Sequence, residues 1–180
     1  MARVLDVARF DAAIGAQILR RQARSVMSVL SPAVQTLIDD LIETAQSANG
    51  VGIAAPQVSC SDRLFIVASR PTLRYPHAPT LPPIAMINPR ILRHSQDKVE
   101  GWEGCLSVPG IRGLVSRYRS LEVEYVDRFG DLQHQGLTDF VARIFQHELD
   151  HLDGIVFLDR VESPCHLITE AEYQKQIIAS

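Results

Sequence analysis

The chain has 180 residues, of which 46% are hydrophobic and 22% are charged, and its formal net charge is −3. This length and balance are typical of one globular domain with its own core, so we expect a single domain over residues 1–180. Basic residues are not grouped together, which argues against binding DNA through a broad basic patch. No apolar run in the sequence is long enough to cross a membrane.

The first residues do not read as a targeting segment. Arg3 and Asp6 interrupt any apolar signal-peptide centre, and acidic residues such as Asp6 and Asp11 are unusual in organelle transit peptides. Three scattered cysteines, an odd number, do not suggest a disulfide framework. We therefore expect a cytoplasmic protein with reduced thiols.

The first clear element is an amphipathic helix near the N-terminus. Residues 1–30 are expected to be an irregular lead-in with a short helix. Ser31 then serves as N-cap and Pro32 as the first helical residue. Apolar residues follow at spacings of three and four, as on a buried helix face: Val34, Leu37, Ile38, Leu41, Ile42 and Ala45. Asn49-Gly50 ends this helix.

The next segment, residues 50–57, reads Gly-Val-Gly-Ile-Ala-Ala-Pro-Gln and consists mainly of small residues, which let another chain approach the backbone. A phosphate-binding loop fits poorly, because no Lys-Ser/Thr follows and the helix precedes the glycines. Taken alone, the segment is most simply a tight connection to a strand over residues 63–68. The alternative is a backbone edge with which a ligand can pair.

The middle of the chain predicts short strands. Residues 73–83 contain four prolines and should form a surface loop. A strand over residues 84–87 should end at Asn88-Pro89. Residues 121–126 and 132–137 are expected to form a hairpin, because a glycine-containing turn separates them.

Residues 103–107, Glu-Gly-Cys-Leu-Ser, place Cys105 among turn-forming neighbours, in what we expect to be a polar loop. A cysteine is more often a small buried hydrophobe, and Cys60 and Cys165 fit that description or are partly exposed thiols. The surroundings of Cys105 instead suit a thiolate that can act as a ligand.

Residues 138–154 predict a helix that is capped by its first residue, a threonine, and ended by its last, a glycine. An apolar stripe at helical spacing forms its core face: Val141, Phe145, Leu149 and Leu152. His147 and His151 lie four apart, so both imidazoles can reach one metal ion, with Glu148 beside its water. Alone, this pattern is as readily a solvated helix face as a metal site.

A short apolar strand over residues 155–158 and a terminal helix over residues 169–178 complete the expected elements. Together they indicate an α+β fold. Short antiparallel strands should pack around a central metal-binding helix, with a second amphipathic helix near the N-terminus.

Cys105, His147 and His151 together offer one soft and two borderline metal ligands. Three protein ligands leave a fourth tetrahedral position for water, as in catalytic sites, whereas a structural site would need a fourth ligand. The remaining histidines have no comparable partners nearby and are expected at the surface: His77, His94, His134 and His166.

Residues 50–57, 103–107 and 146–151 (Gln-His-Glu-Leu-Asp-His) resemble, in this order, the three signature motifs of the peptide deformylases. Each motif alone is weak or moderate evidence, but all three in one chain of this length are highly specific. The resemblance implies a hydrolase that removes the formyl group from the initiator methionine of newly made proteins and releases formate. Its partners would be N-formyl-methionyl nascent peptides, and the resemblance leaves room for a transient association with the ribosome.

The resemblance also implies that Cys105, His147 and His151 hold one divalent metal ion. Fe²⁺ is the expected ion in vivo, and Zn²⁺, Ni²⁺ and Co²⁺ are alternatives, because affinity order alone does not decide occupancy in a cell.

Further roles follow from the same resemblance. Glu148 would be the general base that takes a proton from water and returns it to the departing amine. Gln57 and the backbone N–H of Leu106 would donate hydrogen bonds to the developing oxyanion. Glu103 and Gln146 would support the loop and the helix.

Substrate contacts can be placed in the same way. Val51 and Gly52 would pair with the substrate's backbone, as an added strand does. Ile144 and Phe140 lie three and seven residues before His147, toward the same side of the helix. They are candidates for lining the methionine pocket, with plain core packing as the alternative.

Two other classes stay open. A metallopeptidase would use the same His-Glu-x-x-His helix with Glu170, 19 residues after His151 (170 − 151), as its third ligand. That class leaves Cys105 and Gln57 without roles. A non-catalytic module stabilised by a metal ion leaves Glu148 unexplained and lacks a fourth ligand.

Overall fold

Two antiparallel sheets form the framework of the computed structural model, which describes residues 2–178. The five-stranded sheet contains, in spatial order, β1 (Gly52–Ala54), β2 (Leu64–Val67), β3 (Ile84–His94), β6 (Ser120–Val126) and β7 (Leu132–Thr138). The three-stranded sheet contains β4 (Lys98–Cys105), β5 (Val108–Tyr118) and β8 (Leu167–Thr169). The second sheet was not expected from the sequence, where no strand was assigned to residues 98–118.

Helices cover these sheets: α1 (Ala13–Leu19), α2 (Pro32–Ser47), α3 (Asp139–Leu152) and α4 (Glu170–Ile178). Short 3-10 turns connect some of the elements: Ala55–Val58, Phe157–Arg160 and Pro164–His166. Within residues 2–178, no helix is both long and apolar enough to pass through a membrane. The mixed, antiparallel arrangement confirms the predicted α+β class.

The five-stranded sheet lies between α2 and α3, and β2 shows why. All four residues of β2 are buried, and successive side chains point to opposite faces. Phe65 and Val67 belong to the apolar cluster under α3, whereas Leu64 and Ile66 belong to the cluster under α2. α3 also packs against β5 of the three-stranded sheet, so it is a central helix in contact with both sheets.

Several predicted elements are confirmed. The Ser31 hydroxyl accepts a hydrogen bond from the N–H of Val34 at 3.4 Å, and Pro32 begins α2. The predicted hairpin is β6 and β7, which pair in register from Ser120–Thr138 to Val126–Leu132. The terminal helix is α4.

Two strand predictions are wrong. The strand that begins at Ile84 does not end at Asn88-Pro89 but continues to His94, with an irregularity that absorbs the proline. Asn88 takes a positive φ of 51°, and its side-chain amide pairs with both the N–H and the C=O of Val26. This pairing with the N-terminal segment lets the strand pass the proline.

The expected strand over residues 155–158 is instead part of a 3-10 turn at Phe157–Arg160. The carboxylate of Asp159 accepts the N–H of Val156 at 2.9 Å, which closes the turn locally. Thr138 precedes α3 as predicted but makes no side-chain cap bond. Gly154 follows α3 with a φ of +76°, a conformation that suits glycine.

Candidate metal centre

Three side chains with metal-ligating atoms meet where α3 passes the end of β4. One ligand atom from each of Cys105, His147 and His151 lies within 4.8 Å of the other two. The Sγ of Cys105 is 3.2 Å from Nε2 of His151. Among residues 2–178 these are the only three His, Cys, Asp or Glu residues found grouped closely enough to hold a metal ion.

Local structure explains this meeting. His147 and His151 are one helical turn apart on α3, and their ring centroids are 5.1 Å apart. Cys105 is the last residue of β4 and is only 8% exposed, so the expected polar loop is wrong. It pairs with Val108 across a tight β4–β5 hairpin, which directs the thiol into the molecule.

The donor set fits a divalent transition-metal ion. Burial would raise the pKa of the Cys105 thiol, but the imidazoles of His151 and His147 lower it well below its ordinary value. The thiolate that this favours is the form that binds metal. Nδ1 of His147 donates to Oε2 of Glu103 at 2.9 Å, which fixes the ring and leaves Nε2 for the metal.

Glu103 belongs to a buried ion network behind the ligands. Arg117 binds its carboxylate with two hydrogen bonds, at 2.9 and 3.0 Å, and Arg143 adds a third at 2.9 Å. Arg117 also reaches Asp150 on α3 at 2.7 Å. Burial opposes ionisation, but Arg117 and His147 lower the pKa of Glu103 overall, so it stays charged.

Gln146 ties α3 to β5 through backbone groups of Tyr118 at 3.1 and 3.0 Å.

Glu148 lies next to the ligands with little access to solvent. It is 4% exposed, and its Oε2 has no hydrogen-bond partner in residues 2–178. Burial raises the pKa of Glu148 to about 7, despite the opposing charges of His147 and His151. A carboxyl group of this kind can both accept and return a proton near neutral pH.

The glycine of β1 makes room for that carboxylate. A Cβ added to Gly52 would lie 2.5 Å from Oε1 of Glu148, closer than atoms can pack. A larger residue here would therefore push the Glu148 side chain away from its present position.

Gly52→Ala should consequently displace Glu148 while leaving the metal ligands in place. For Glu148 as the general base predicted from the sequence, we expect kcat to fall by about a hundredfold, because a shift of roughly 1 Å in a reacting group has that effect. Gly136→Ala is the control, because it makes the same change on β7, where an added Cβ meets nothing within 4 Å. The measurements are kcat and metal content per chain, and a Gly52→Ala protein with wild-type kcat would contradict the prediction.

Gln57 is held rigidly beside the ligands. It is 2% exposed, and its Oε1 accepts the N–H of Ala54 at 2.9 Å. Its Nε2 donates to Sγ of Cys105 at 3.4 Å and to Oγ of Ser107 at 3.1 Å. The side chain therefore directs its N–H donors toward the centre.

A cavity opens on this centre. All but one of the residues predicted for the site line this cavity: Val51, Gly52, Gln57, Cys105, Leu106, Phe140, Ile144, His147 and Glu148. The exception is His151, which contacts the thiol of Cys105. Ile144 lines the cavity and also packs in the core cluster under α3, and its contact with a methionine side chain stays a prediction.

Sequence reasoning missed part of the site. Tyr75 and Arg112 also line the cavity, and Arg117 fixes Glu103. From the sequence alone an arginine is expected to be solvated. Arg112 is instead fully buried, because the carboxylate of Glu170 forms an ion pair with it. No local pattern marks Tyr75, since it lies in the proline-rich loop and reaches the cavity only through folding.

Glu170 does not join the ligands. Both of its carboxylate oxygens accept hydrogen bonds from Arg112, at 2.7 and 3.2 Å. The metallopeptidase alternative, which needs Glu170 as a ligand, is therefore not favoured.

Comparison with known proteins agrees with this geometry. Residues 12–166 match the family model described as Polypeptide deformylase. A peptide deformylase from a Nostoc species is 64% identical over 164 residues, covering 91% of this chain and 92% of that protein. The crystal structure of a class I type b peptide deformylase from Acinetobacter baumannii, bound to Met-Ala-Ser, superposes with a TM-score of 0.84. It is 44% identical and the match covers 89% of this chain and all of that one. A Synechococcus elongatus peptide deformylase in complex with actinonin gives a TM-score of 0.78 at 32% identity, over 97% and 84% of the two chains.

Proposed function

The chain belongs to the peptide deformylase family, and we propose here which of its residues carry out the family's reaction. It is a metal-dependent hydrolase that removes the formyl group from the initiator methionine of new proteins and releases formate. The observation that carries the residue assignment is the meeting of three ligand atoms, a buried carboxylate and a fixed amide in one cavity.

The metal ion is held by Cys105, His147 and His151 in our proposal. When bound, a divalent ion would polarise the formyl carbonyl and lower the pKa of water from about 15.7 toward roughly 7. Fe²⁺ is the proposed ion, and Zn²⁺, Ni²⁺ and Co²⁺ suit the same thiolate and imidazole ligands.

Glu148 moves the proton. Its carboxylate accepts a proton from the attacking water as the new C–O bond forms at the formyl carbon. It then gives that proton to the amine nitrogen as the C–N bond breaks, so that formate and a free N-terminus leave. Gln57 and the N–H of Leu106 donate hydrogen bonds to the formyl oxygen as negative charge builds on it.

The substrate's backbone is proposed to add to the edge of β1. Within the five-stranded sheet β1 pairs on one side only, with β2, so Val51 and Gly52 can receive an extended peptide. The methionine side chain then enters the cavity between Phe140 and Ile144. The Met-Ala-Ser bound to the Acinetobacter relative has the sequence that such a product would have, which supports a methionyl peptide as the product. Because these substrates emerge from the ribosome, we propose that the protein acts in the cytoplasm and contacts the ribosome transiently.

Gln57→Ala should lower kcat by about 10²–10³ and change KM much less. The lost donor acts on the oxyanion, which exists only as the transition state forms, and such a loss typically costs about 2.7–4 kcal/mol. Steady-state kinetics on a formyl-methionyl peptide measures both constants. A variant with unchanged kcat would remove Gln57 from the oxyanion site.

The function itself is tested by formate release from formyl-Met-Ala-Ser under anaerobic conditions with the iron-loaded protein. The same peptide with an acetyl group in place of formyl is the control, and internal cleavage of a longer peptide is measured in parallel. We expect formate and free Met-Ala-Ser as the products. A fully metal-loaded protein that releases no formate, or that cleaves internal peptide bonds instead, would overturn the assignment.

A further inference from the structure

Tyr75 forms a wall of the proposed methionine pocket. Its ring packs against that of Phe140, with centroids 4.9 Å apart, and its hydroxyl accepts the N–H of Gly104 at 3.3 Å. Gly104 is the residue directly before Cys105. The ring thus spans the space between α3 and the metal-ligating hairpin, but it lies in a loop with no strand or helix of its own.

Arg112 packs against the ring of Tyr75. It is fully buried, and its guanidinium carbon lies 4.8 Å from the ring centroid of Tyr75 and 4.3 Å from that of Tyr173. A Cβ added to Gly104 would lie 3.1 Å from the same guanidinium, so Arg112 also packs against the hairpin backbone. Its Nη1 has no partner in residues 2–178, which leaves Glu170 as its neutralising contact.

The residues that fix Arg112 come from the end of the chain. Glu170 binds it with two hydrogen bonds, and the ring of Tyr173, one turn later on α4, packs against its guanidinium. Tyr173 also donates its hydroxyl hydrogen to the C=O of Arg74 at 3.1 Å, and so it holds the residue directly before Tyr75. β8 brings α4 to this place, because Ile168 pairs with Arg112 on β5.

From these contacts we infer that Glu170 and Tyr173 are positioning residues that fix the Tyr75 wall and thereby set the preference for methionine. Both lie beyond residues 12–166, the part that the family model matches, so family membership does not assign them a role. The inference rests on the proposed function, since it concerns the pocket of the same reaction. Removing the charge of Glu170 leaves a buried guanidinium without its counter-ion, and Arg112 and the two rings must then move.

The expected consequence is selective. A methionine side chain long enough to contact the wall loses that contact, whereas an alanine side chain does not reach it. An aromatic contact of this kind corresponds to about a threefold to tenfold change in binding. A general loss of stability would instead reduce the rates for both substrates together.

The test compares formyl-Met-Ala-Ser with formyl-Ala-Ala-Ser as substrates of the wild-type protein, Glu170→Gln, Tyr173→Phe and Glu172→Gln. For Glu170→Gln we expect the Met-to-Ala ratio of kcat/KM to fall about threefold to tenfold, through a higher KM for the methionine peptide. Tyr173→Phe keeps the ring over Arg112 and loses only the bond to Arg74, so its fall should be smaller. Glu172→Gln removes the same charge from an exposed site on α4 and should leave the ratio unchanged.

Binding of the tripeptides Met-Ala-Ser and Ala-Ala-Ser to the same metal-loaded proteins, by calorimetry, repeats the comparison without turnover. A wild-type protein that binds these peptides but releases no formate would contradict the proposed function alone. An unchanged ratio in both Glu170→Gln and Tyr173→Phe would overturn the positioning role, as would an equal loss for both peptides. If Glu170→Gln does not fold, Tyr173→Phe, which removes one hydroxyl, decides the question.

Discussion

Glu148→Gln should reduce kcat by about 10²–10⁴ while the protein keeps its metal ion, because glutamine cannot accept a proton from water. The substitution preserves the size of the side chain, so the fit against Gly52 is kept. KM should change little, since the carboxylate acts mainly in the transition state. Formate release and metal analysis on the same preparation measure both expectations.

Two comparisons sharpen this prediction. Glu148→Asp retains a carboxylate but withdraws it from the centre, so it should recover only part of the activity. Glu172→Gln removes a carboxylate from the exposed face of α4 and should keep wild-type kcat. Substantial turnover by the Glu148→Gln protein would exclude Glu148 as the base.

Cys105→Ala should abolish metal binding and, with it, formate release. Three protein ligands become two, and the thiolate that is lost is the one charged ligand. Metal content per chain, measured after dialysis against a weak chelator, should fall from about one to near zero, with the fold checked by circular dichroism.

The control variants change an exposed cysteine and the carboxylate that a metallopeptidase would use as its third ligand. Cys165→Ala changes an exposed cysteine and should keep the full metal content. Glu170→Ala should also keep it, because that carboxylate binds Arg112 and not the metal. Metal lost from Glu170→Ala but retained by Cys105→Ala would favour a metallopeptidase over the assignment made above.

Local sequence patterns predicted the elements whose stabilisation is itself local. The helix that begins at Ser31 was found because its N-cap and its apolar spacing lie within one segment. The hairpin of β6 and β7 was found because its turn residues stand directly between the strands. The β4–β5 pair was missed, since its register depends on a bulge near Cys105 that no local pattern marks.

The residues of the site also fall into two groups, those that the sequence indicated and those that only the folded structure revealed. Cys105 and the His-Glu-x-x-His residues could be selected from the sequence because ligand and base chemistry restricts residue type and spacing, whereas Gln57 was assigned only through the family resemblance. Tyr75, Arg112 and Arg117 could not be found, because their burial depends on partners far away in the chain.

The sequence alone therefore determined the α+β class, the ligand residues and the family that their motifs resemble. Only the tertiary structure decided that Cys105 is buried at a strand end, that Gly52 makes room for Glu148, and that α4 reaches the pocket wall. The physical reason is the separation along the chain over which each kind of interaction acts. Helical spacing and ligand chemistry act over a few residues, whereas the Arg112–Glu170 pair joins groups 58 residues apart and exists only once the two sheets and their helices have packed.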